Sequence, residues 1–238
     1  MRSATIVGMG RAGSAFATAL ATAGWEVTTL HHGELGSTGE LSTDLVLLCV
    51  PDGKIADVAV GLELGDHTVV AHCAGSLGLS VLAPSERRAS IHPLMSLPPA
   101  PHGAKRLESA WFAVAGDPIA AEVVAAIGGR SFEVPDVNRA LYHAGSAIAS
   151  NHLVALLGQV ERAADEIGVP FEAYLELARA SVDNVSELGP REALTGPVAR
   201  GDWETVSRHR ESLPDREVPG YEAGVELAKM LLESGNEE

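Results

Sequence analysis

Short apolar runs alternate with polar or helix-patterned segments over the first 135 residues. Seven of these runs predict β-strands, at residues 4–7, 25–30, 45–50, 68–73, 88–92, 111–115 and 130–134. The run Leu45–Val50 is apolar at every position, which is typical of a parallel strand buried on both faces. The alternation predicts an α/β fold with a doubly wound, mainly parallel sheet.

From Asn138 onwards, the pattern changes to long segments with helical spacing and no strand signals. These segments predict helices at residues 138–167, 172–188, 203–213 and 222–233. Asp136 or Asn138 is expected to cap the first of them. We therefore predict a sheet domain over residues 1–135 and an all-α domain over residues 136–238.

A glycine-rich turn joins the first predicted strand to the first predicted helix. Gly8 permits the tight turn, Gly10 lets the backbone approach a pyrophosphate, and Gly13 lets the helix pack closely on its strand. The N–H groups at the start of the helix then favour phosphate. This context favours a dinucleotide-binding loop over a turn without a ligand, and its residues are Gly8, Met9, Gly10, Arg11, Ala12 and Gly13.

The ends of the next two strands bear on the choice of cofactor. A carboxylate that would hold the ribose hydroxyls of NAD is expected at the end of the second strand, where this chain has His31 and His32, with Glu34 slightly late. Arg11 adds a positive charge nearby, so the pattern favours NADP, with NAD possible. The third strand should also face the cofactor, through Val50, Pro51 and Asp52.

Composition and charge exclude several classes of function. The chain has 46% hydrophobic residues, ample for a buried core. Its 17 Lys and Arg against 32 Asp and Glu give a net charge of -15, which repels nucleic acid and anionic membranes. A small anionic substrate is still compatible with a local arginine or a helix N-terminus.

The cysteines, the histidines and the lengths of the apolar runs bear on thiol state, metal binding and location. Cys49 and Cys73 lie in apolar runs and are expected to be reduced core residues. The nine histidines show no spacing typical of metal ligands, so no metal site is predicted. The first apolar run is the predicted strand, and no apolar run is long enough for a membrane helix, so we expect a soluble cytoplasmic protein.

Candidate substrate-binding residues lie in a turn of small residues at positions 193–202. Arg200 could clamp a carboxylate of the substrate, with Thr195 beside it in the turn. Pairing of Arg200 with a nearby acid is an equally weighted alternative. For Asp202 we favour a cap on the helix that begins at Trp203.

Candidate catalytic residues lie in the helix over 138–167 and at strand ends. His143 and Asn151 would share a helix face about 12 Å apart, where one could protonate a substrate and the other orient it. Helix packing with a hydrogen-bonded histidine is the alternative. His92 and His72 end predicted strands at the edge where open α/β sheets bind ligands, although either could simply bond a loop carbonyl.

Five segments together resemble the bacterial Rossmann-like proteins that carry a DUF2520 C-terminal domain. They are Gly8–Gly13, Val50-Pro51-Asp52, Ile91-His92-Pro93-Leu94, the segment Tyr142–His152, and the string Leu194–Asp202. The resemblance places the chain near the 6-phosphogluconate dehydrogenase-like reductases, which include pyrroline-5-carboxylate and ketopantoate reductases. It implies an NAD(P)-binding domain followed by a helical domain that closes the active site and often forms a homodimer.

The chain departs from the pattern of these relatives at four positions. Ala74 replaces the usual serine before Gly75, and Met95 and Leu97 replace a glutamine and an aromatic residue. Ala147 stands where some hydroxyacid dehydrogenases of the wider superfamily place a catalytic lysine. The leading hypothesis is an NAD(P)-dependent oxidoreductase acting on a small carboxylate-bearing carbonyl, hydroxyl or imine compound. The alternatives are a non-catalytic NADP(H) sensor and a fold that has lost cofactor affinity.

Overall fold

A single sheet dominates the first half of the chain. The computed structural model describes residues 1–31, 39–99 and 102–233. The strands are β1 (Ser3–Val7), β2 (Glu26–Leu30), β3 (Leu45–Leu48), β4 (Val69–His72), β5 (Arg88–Pro93), β6 (Trp111–Gly116) and β7 (Arg130–Glu133). All seven lie where the apolar runs predict them, which confirms the α/β fold.

The strand order places four loops at one edge of the sheet. The order is β2-β1-β3-β4-β5-β6-β7, and β1 to β5 are parallel. β6 runs antiparallel to β5, and β7 runs parallel to β6. The carboxyl ends of β1, β3, β4 and β5 therefore meet at the same edge, which is where ligands bind in open α/β sheets. We call it the carboxyl edge.

Ten α-helices lie within the described residues. Those that accompany the sheet are α1 (Arg11–Thr22), α2 (Ile55–Val60), α3 (Gly103–Leu107), α4 (Ile119–Ala126) and α5 (Arg139–Ala147). They are followed by α6 (Leu153–Ile167), α7 (Phe171–Leu188), α8 (Pro190–Ala193), α9 (Trp203–Ser212) and α10 (Val218–Glu233). The prediction of one α-helix over 138–167 is wrong, because a π-helical segment, Ile148–His152, separates α5 from α6.

Alternate strand residues form two apolar clusters on opposite faces of the sheet. Phe16 of α1 and Phe112 of β6 belong to the first cluster, with Leu47 of β3. Leu48 of β3 belongs to the second cluster, with Ile55 of α2. Successive side chains of a strand point to opposite faces, so a strand such as β3 must be apolar throughout.

The chain divides into two compact units, Met1–Ile148 and Ala149–Glu238, called here the sheet unit and the helical unit. The change in sequence pattern predicts a boundary at 135/136. The difference is α5, which belongs to the sheet unit because its side chains contact β5 and β7. The boundary falls instead in the π-helical segment.

Two predicted helix caps have different outcomes. Asp202 caps α9 as expected, since its Oδ1 accepts a hydrogen bond from Thr205 N at 3.1 Å. No side chain caps α5, so the prediction for Asp136 or Asn138 is wrong. Asp136 Oδ2 instead accepts a hydrogen bond from Leu79 N at 2.9 Å, which ties the chain before α5 to the segment that follows β4.

Candidate functional site

The glycine loop has the geometry that a dinucleotide-binding turn requires. Gly8 has φ +94°, and a Cβ atom there would lie 2.8 Å from the Cys49 carbonyl oxygen. A Cβ atom at Gly13 would lie 1.8 Å from the Gly8 carbonyl oxygen, so only glycine allows α1 to approach so closely. A Cβ atom at Gly10 would meet nothing within 4 Å, so the loop is open on the side where a pyrophosphate would approach.

The start of α1 is electrostatically suited to an anion. No side chain caps the helix, and its first turn carries no acidic residue. The positive end of the helix dipole and the first N–H groups therefore face no competing carboxylate from that turn. Arg11, the first residue of the helix, is exposed. These residues fit the phosphates of a nicotinamide dinucleotide.

The neighbouring strand ends complete the predicted cofactor site. Gly8 N donates to Leu30 O at 2.8 Å, so the end of β2 and the following His31 lie next to the glycine loop. Val50 is buried after β3, whereas Pro51 and Asp52 are exposed. His32 and Glu34, the other positions near the predicted ribose contact, lie outside the described residues.

Two histidines from distant parts of the sequence meet at the carboxyl edge. His92 lies on β5 and His143 on α5, and their ring centroids are 6.2 Å apart. A Cβ atom at Gly75, in the loop after β4, would lie 2.8 Å from His92 Nε2 and 2.6 Å from His143 Cδ2. The structure therefore brings together two of the three predicted catalytic residues.

Tyr142 holds His92 in place. Its hydroxyl lies 2.6 Å from His92 Nδ1, and its ring packs edge-on against Phe132 of β7, with centroids 5.9 Å apart. In the sequence, Tyr142 stands out only as part of the family pattern. Its position next to His143 was the available signal, since consecutive helical residues point about 100° apart and can contact different partners.

Burial sets the charge state of this pair. Desolvation lowers the pKa of His92 to about 4, with smaller contributions from the charges of His143, Arg139 and His72. Burial also raises the pKa of Tyr142. At neutral pH, His92 is an uncharged imidazole beside a protonated phenol, so the hydrogen bond between them joins two neutral groups.

Arg139 is the largest fully buried side chain of the described residues, and no sequence pattern pointed to it. It is 1% exposed and is the first residue of α5. Burial lowers the pKa of its guanidinium, and the charge of Asp136 opposes this shift. An arginine in a helix pattern is usually exposed, so nothing in the sequence indicated its burial.

Asn151 belongs to the helical unit. It lies in the π-helical segment, where its Oδ1 accepts a hydrogen bond from Ser150 Oγ at 2.8 Å. The predicted common face with His143 assumed a uniform α-helix. A π-turn changes the angle between successive residues, so that spacing argument does not apply here.

Thr195 and Arg200 are exposed in a turn of the helical unit. Gly196, at φ +92°, and Gly201, at φ +67°, shape the turn, and Arg200 N donates to Gly196 O at 3.3 Å. The hydrogen bond to Thr205 lowers the pKa of Asp202, with a smaller contribution from the charge of Arg200. Arg200 forms no ion pair with the other described residues of its unit.

The described part of the chain holds no group of three or more His, Cys, Asp or Glu side chains arranged to bind a metal ion. Over the same residues, none of the helices has the length and hydropathy needed to cross a membrane.

Comparison with known proteins identifies two sequence domains. Residues 36–98 match the family model described as a Rossmann-like domain, and residues 111–227 match the model described as Domain of unknown function (DUF2520). None of the curated proteins matches the chain.

Solved structures share the fold over nearly the whole chain. Protein TM1727 from Thermotoga maritima is 28% identical, with a TM-score of 0.77 over 98% of this chain and 99% of that one. BF3122 from Bacteroides fragilis, provisionally named an NADP oxidoreductase, is 19% identical, with a TM-score of 0.79 over 98% of each chain. Pyrroline carboxylate reductase from Plasmodium falciparum, solved with NADP bound, is 15% identical, with a TM-score of 0.63 over 97% of this chain and 98% of that one.

The family matches agree with the resemblance drawn from the strand ends and the turn at Leu194–Asp202: residues 36–98 are similar to a Rossmann-like domain and residues 111–227 to a DUF2520 domain.

Proposed function

We propose that the protein is an NADP(H)-dependent oxidoreductase that acts on a small carboxylate-bearing carbonyl, hydroxyl or imine compound. The observation that carries this proposal is the common location of the glycine loop and the His92–Tyr142–His143 cluster at the carboxyl edge of one sheet. A bound cofactor would supply the hydride, and the protein would supply orientation and a proton.

His143 is the proposed acid or base. It is exposed, so its ring can exchange protons with a substrate, whereas His92 is half-buried and held by Tyr142. The neutral His92 would line the nicotinamide pocket without adding charge. Asn151 as an orienting residue, and Thr195 and Arg200 as contacts to the substrate anion, are predictions that substitution can test.

Cofactor binding is the first test. NADPH fluorescence should increase on titration with the protein, and Gly10→Ala should weaken binding because its Cβ enters the space that the pyrophosphate needs. Gly224→Ala is a matched control, since a Cβ atom there also meets nothing within 4 Å, but it lies in α10. Equal NADPH affinity in both variants would remove the glycine loop from the binding site.

Turnover is the second test. The protein with NADPH should be offered a panel of 2-oxo acids and cyclic imines, and NADPH oxidation should be followed at 340 nm. For an active compound, His143→Ala should abolish turnover and leave NADPH affinity unchanged. Unchanged turnover in His143→Ala would exclude this residue as the acid or base.

Preference for NADP over NAD rests on Arg11 and on the absence of a carboxylate at His31. Arg11→Gln should weaken NADPH binding by about tenfold, since one charge-assisted hydrogen bond is lost, and should change NADH binding less. An equal effect on both cofactors would contradict this assignment.

A non-catalytic NADP(H) sensor is the second candidate function, favoured by Ala147 in place of the lysine found in some related dehydrogenases. Tight NADPH binding without oxidation by any compound of the panel would support it. A chain that binds no nicotinamide dinucleotide would contradict both functions.

We also propose a homodimer formed through the helical unit. Large apolar side chains on its helices are exposed, among them Leu156 on α6, Leu177 on α7 and Leu227 on α10. Sedimentation velocity should show a dimer, and Leu177→Glu should shift it toward monomer, with the neighbouring Glu176→Gln as the control. A monomer at all accessible concentrations would contradict the proposal.

A further inference from the structure

The sheet unit contains a group of buried polar atoms without hydrogen-bond partners. They are Nε, Nη1 and Nη2 of Arg139, Nε2 of His72 and Oγ of Ser90. Arg139 is 1% exposed, and His72 and Ser90 are each 0% exposed. Buried polar groups are almost always hydrogen-bonded, so a concentration of exceptions in one region needs a physical explanation.

His72 and Ser90 lie on one face of the sheet, near its carboxyl edge, and Arg139 is the first residue of α5. His72 ends β4, and Ser90 is its register partner on β5. His92 follows Ser90 by two residues and shares that face. Arg139 lies along the chain between two contacts with this edge. Asp136 Oδ2 accepts from Leu79 N in the segment after β4, and the Tyr142 hydroxyl lies 2.6 Å from His92 Nδ1 on β5.

All the unpartnered atoms are hydrogen-bond donors. Ala74 N donates to His72 Nδ1 at 3.2 Å. The uncharged ring then carries its proton on Nε2. Burial keeps the ring uncharged by lowering the pKa of His72 to about 4, and an interaction with the Gly78 backbone partly opposes this shift. The guanidinium of Arg139 offers only N–H groups, and the Ser90 hydroxyl offers an O–H.

No carboxylate of the sheet unit's described residues neutralises Arg139. Asp136 is close enough to act on its pKa, but the two residues form no ion pair. Asp136 Oδ2 accepts from Leu79 N instead. A buried charge that is neither paired nor hydrogen-bonded strongly destabilises a fold, so this charge requires a partner that is not a protein side chain.

We propose that Arg139, His72 and Ser90 form an internal binding site for one small planar anion, a carboxylate or an inorganic oxyanion of similar size. The planar guanidinium can hold two oxygens of such an anion side by side, with the Nε2–H of His72 and the Ser90 hydroxyl as further donors. Because these atoms are buried, the covering side chains must move before an anion enters. The site goes beyond the proposed function, which assigns the substrate anion to Arg200.

The test compares the response of thermal stability to formate between variants. An anion that binds only the folded chain raises the melting temperature with its concentration. The wild type and Arg106→Met, which changes an exposed arginine on α3, should show the same rise. Arg139→Met should show none, because it removes the buried charge and all five N–H donors. Equal responses of the wild type and Arg139→Met would overturn the proposal.

Ser90→Ala keeps the proposal testable if Arg139→Met does not fold. It removes a single donor with little change in volume, and it should weaken formate binding by about fivefold, as expected for one hydrogen bond. An unchanged formate affinity in Ser90→Ala would remove Ser90 from the site. If Arg139→Met failed to fold and Ser90→Ala left the formate affinity unchanged, the two results together would overturn the proposal.

The source of the anion is identified by a second arm with pyruvate in place of formate. A rise with pyruvate that Arg139→Met abolishes, and that does not add to the rise from saturating formate, assigns the site to the carboxylate of an organic acid. A rise with formate or nitrate alone assigns it to a free small anion. Because neither arm uses turnover or NADPH, a failure here is distinguishable from a failure of the proposed function.

Discussion

The two units bury apolar side chains to very different extents. The fully buried apolar residues of the described chain all lie in the sheet unit, except for Ala164 on α6. Strands such as β3 are covered on both faces, whereas each long helix of the helical unit exposes large apolar side chains. The sheet unit therefore has its own core, while the helical unit offers apolar surface for association, as in the proposed homodimer.

The largest expected effect is on the core of the sheet unit. Phe112→Ala removes a ring that is 0% exposed and packs against Phe16, with centroids 6.2 Å apart. It should lower the free energy of unfolding by about 3–5 kcal/mol, from lost burial and the cavity that remains. The measurement is urea denaturation followed by tryptophan fluorescence.

Leu177→Ala is the matched substitution in the helical unit. Leu177 is 63% exposed, so in dilute protein, where a dimer dissociates, the loss should stay within about 1 kcal/mol. A loss as large as that of Phe112→Ala under those conditions would show that the helical unit also has a core, and the contrast between the units would fail.

The second effect is a pH dependence confined to the sheet unit. Burial lowers the pKa of His72 to about 4 in the folded chain, against about 6.5 in the unfolded chain. Between these values the unfolded chain binds more protons, so stability is complete above pH 6.5 and falls as the pH drops toward 4. Between pH 6.5 and 4.5, His72 alone should lose about 2–3 kcal/mol.

His72→Asn is the appropriate variant, since its side-chain oxygen can still accept from Ala74 N while nothing titrates. The comparison uses Trp203→Phe as the background, so that only Trp25 and Trp111 of the sheet unit report unfolding. If His72→Asn lost as much stability as its Trp203→Phe parent between pH 6.5 and 4.5, His72 would not be the source of the pH dependence.

The helical unit should respond at lower pH. Arg162 and the other contacts of Glu217 lower the pKa of this carboxyl from 4.5 to about 2. Its contribution is present above pH 4.5 and is lost as the pH falls toward 2. The range from 6.5 to 4.5 therefore separates the two units. Glu217→Gln should lower stability by a constant amount above pH 4.5, and the difference from the wild type should shrink only as the pH falls toward 2.

Much of the sheet and its edge could be predicted from the sequence, because local patterns determine them. The apolar runs and the three glycines of the loop require only neighbouring residues to be interpreted. Cys49 and Cys73 are partly buried and pack against the first apolar cluster, at the border of the predicted core. The encounter of His92 with His143 depends on tertiary packing, so the sequence indicated only that each lay at a plausible position.

The burial of Arg139 illustrates what local patterns cannot indicate. Its neighbours Asn138 and Ala140 are exposed, and a single arginine in such a segment has no periodicity of its own. Its burial results from tertiary packing, in which α5 contacts β5, β7 and the loop after β4. The π-helical segment was missed for a related reason, since sequence spacing does not distinguish one wide turn within a long helix.

The smallest expected effect is the loss of the cap of α9 in the helical unit. Asp202→Ala leaves Thr205 N without its acceptor, and the melting temperature should fall by roughly 4 °C. Trp203 begins the same helix, and its fluorescence reports this unfolding directly. Asp202→Asn keeps an acceptor oxygen and should retain most of the stability. If both substitutions lowered the melting temperature equally, the charge of Asp202 near Arg200 would matter more than the cap, and the turn that carries Thr195 and Arg200 would depend on that charge for its stability.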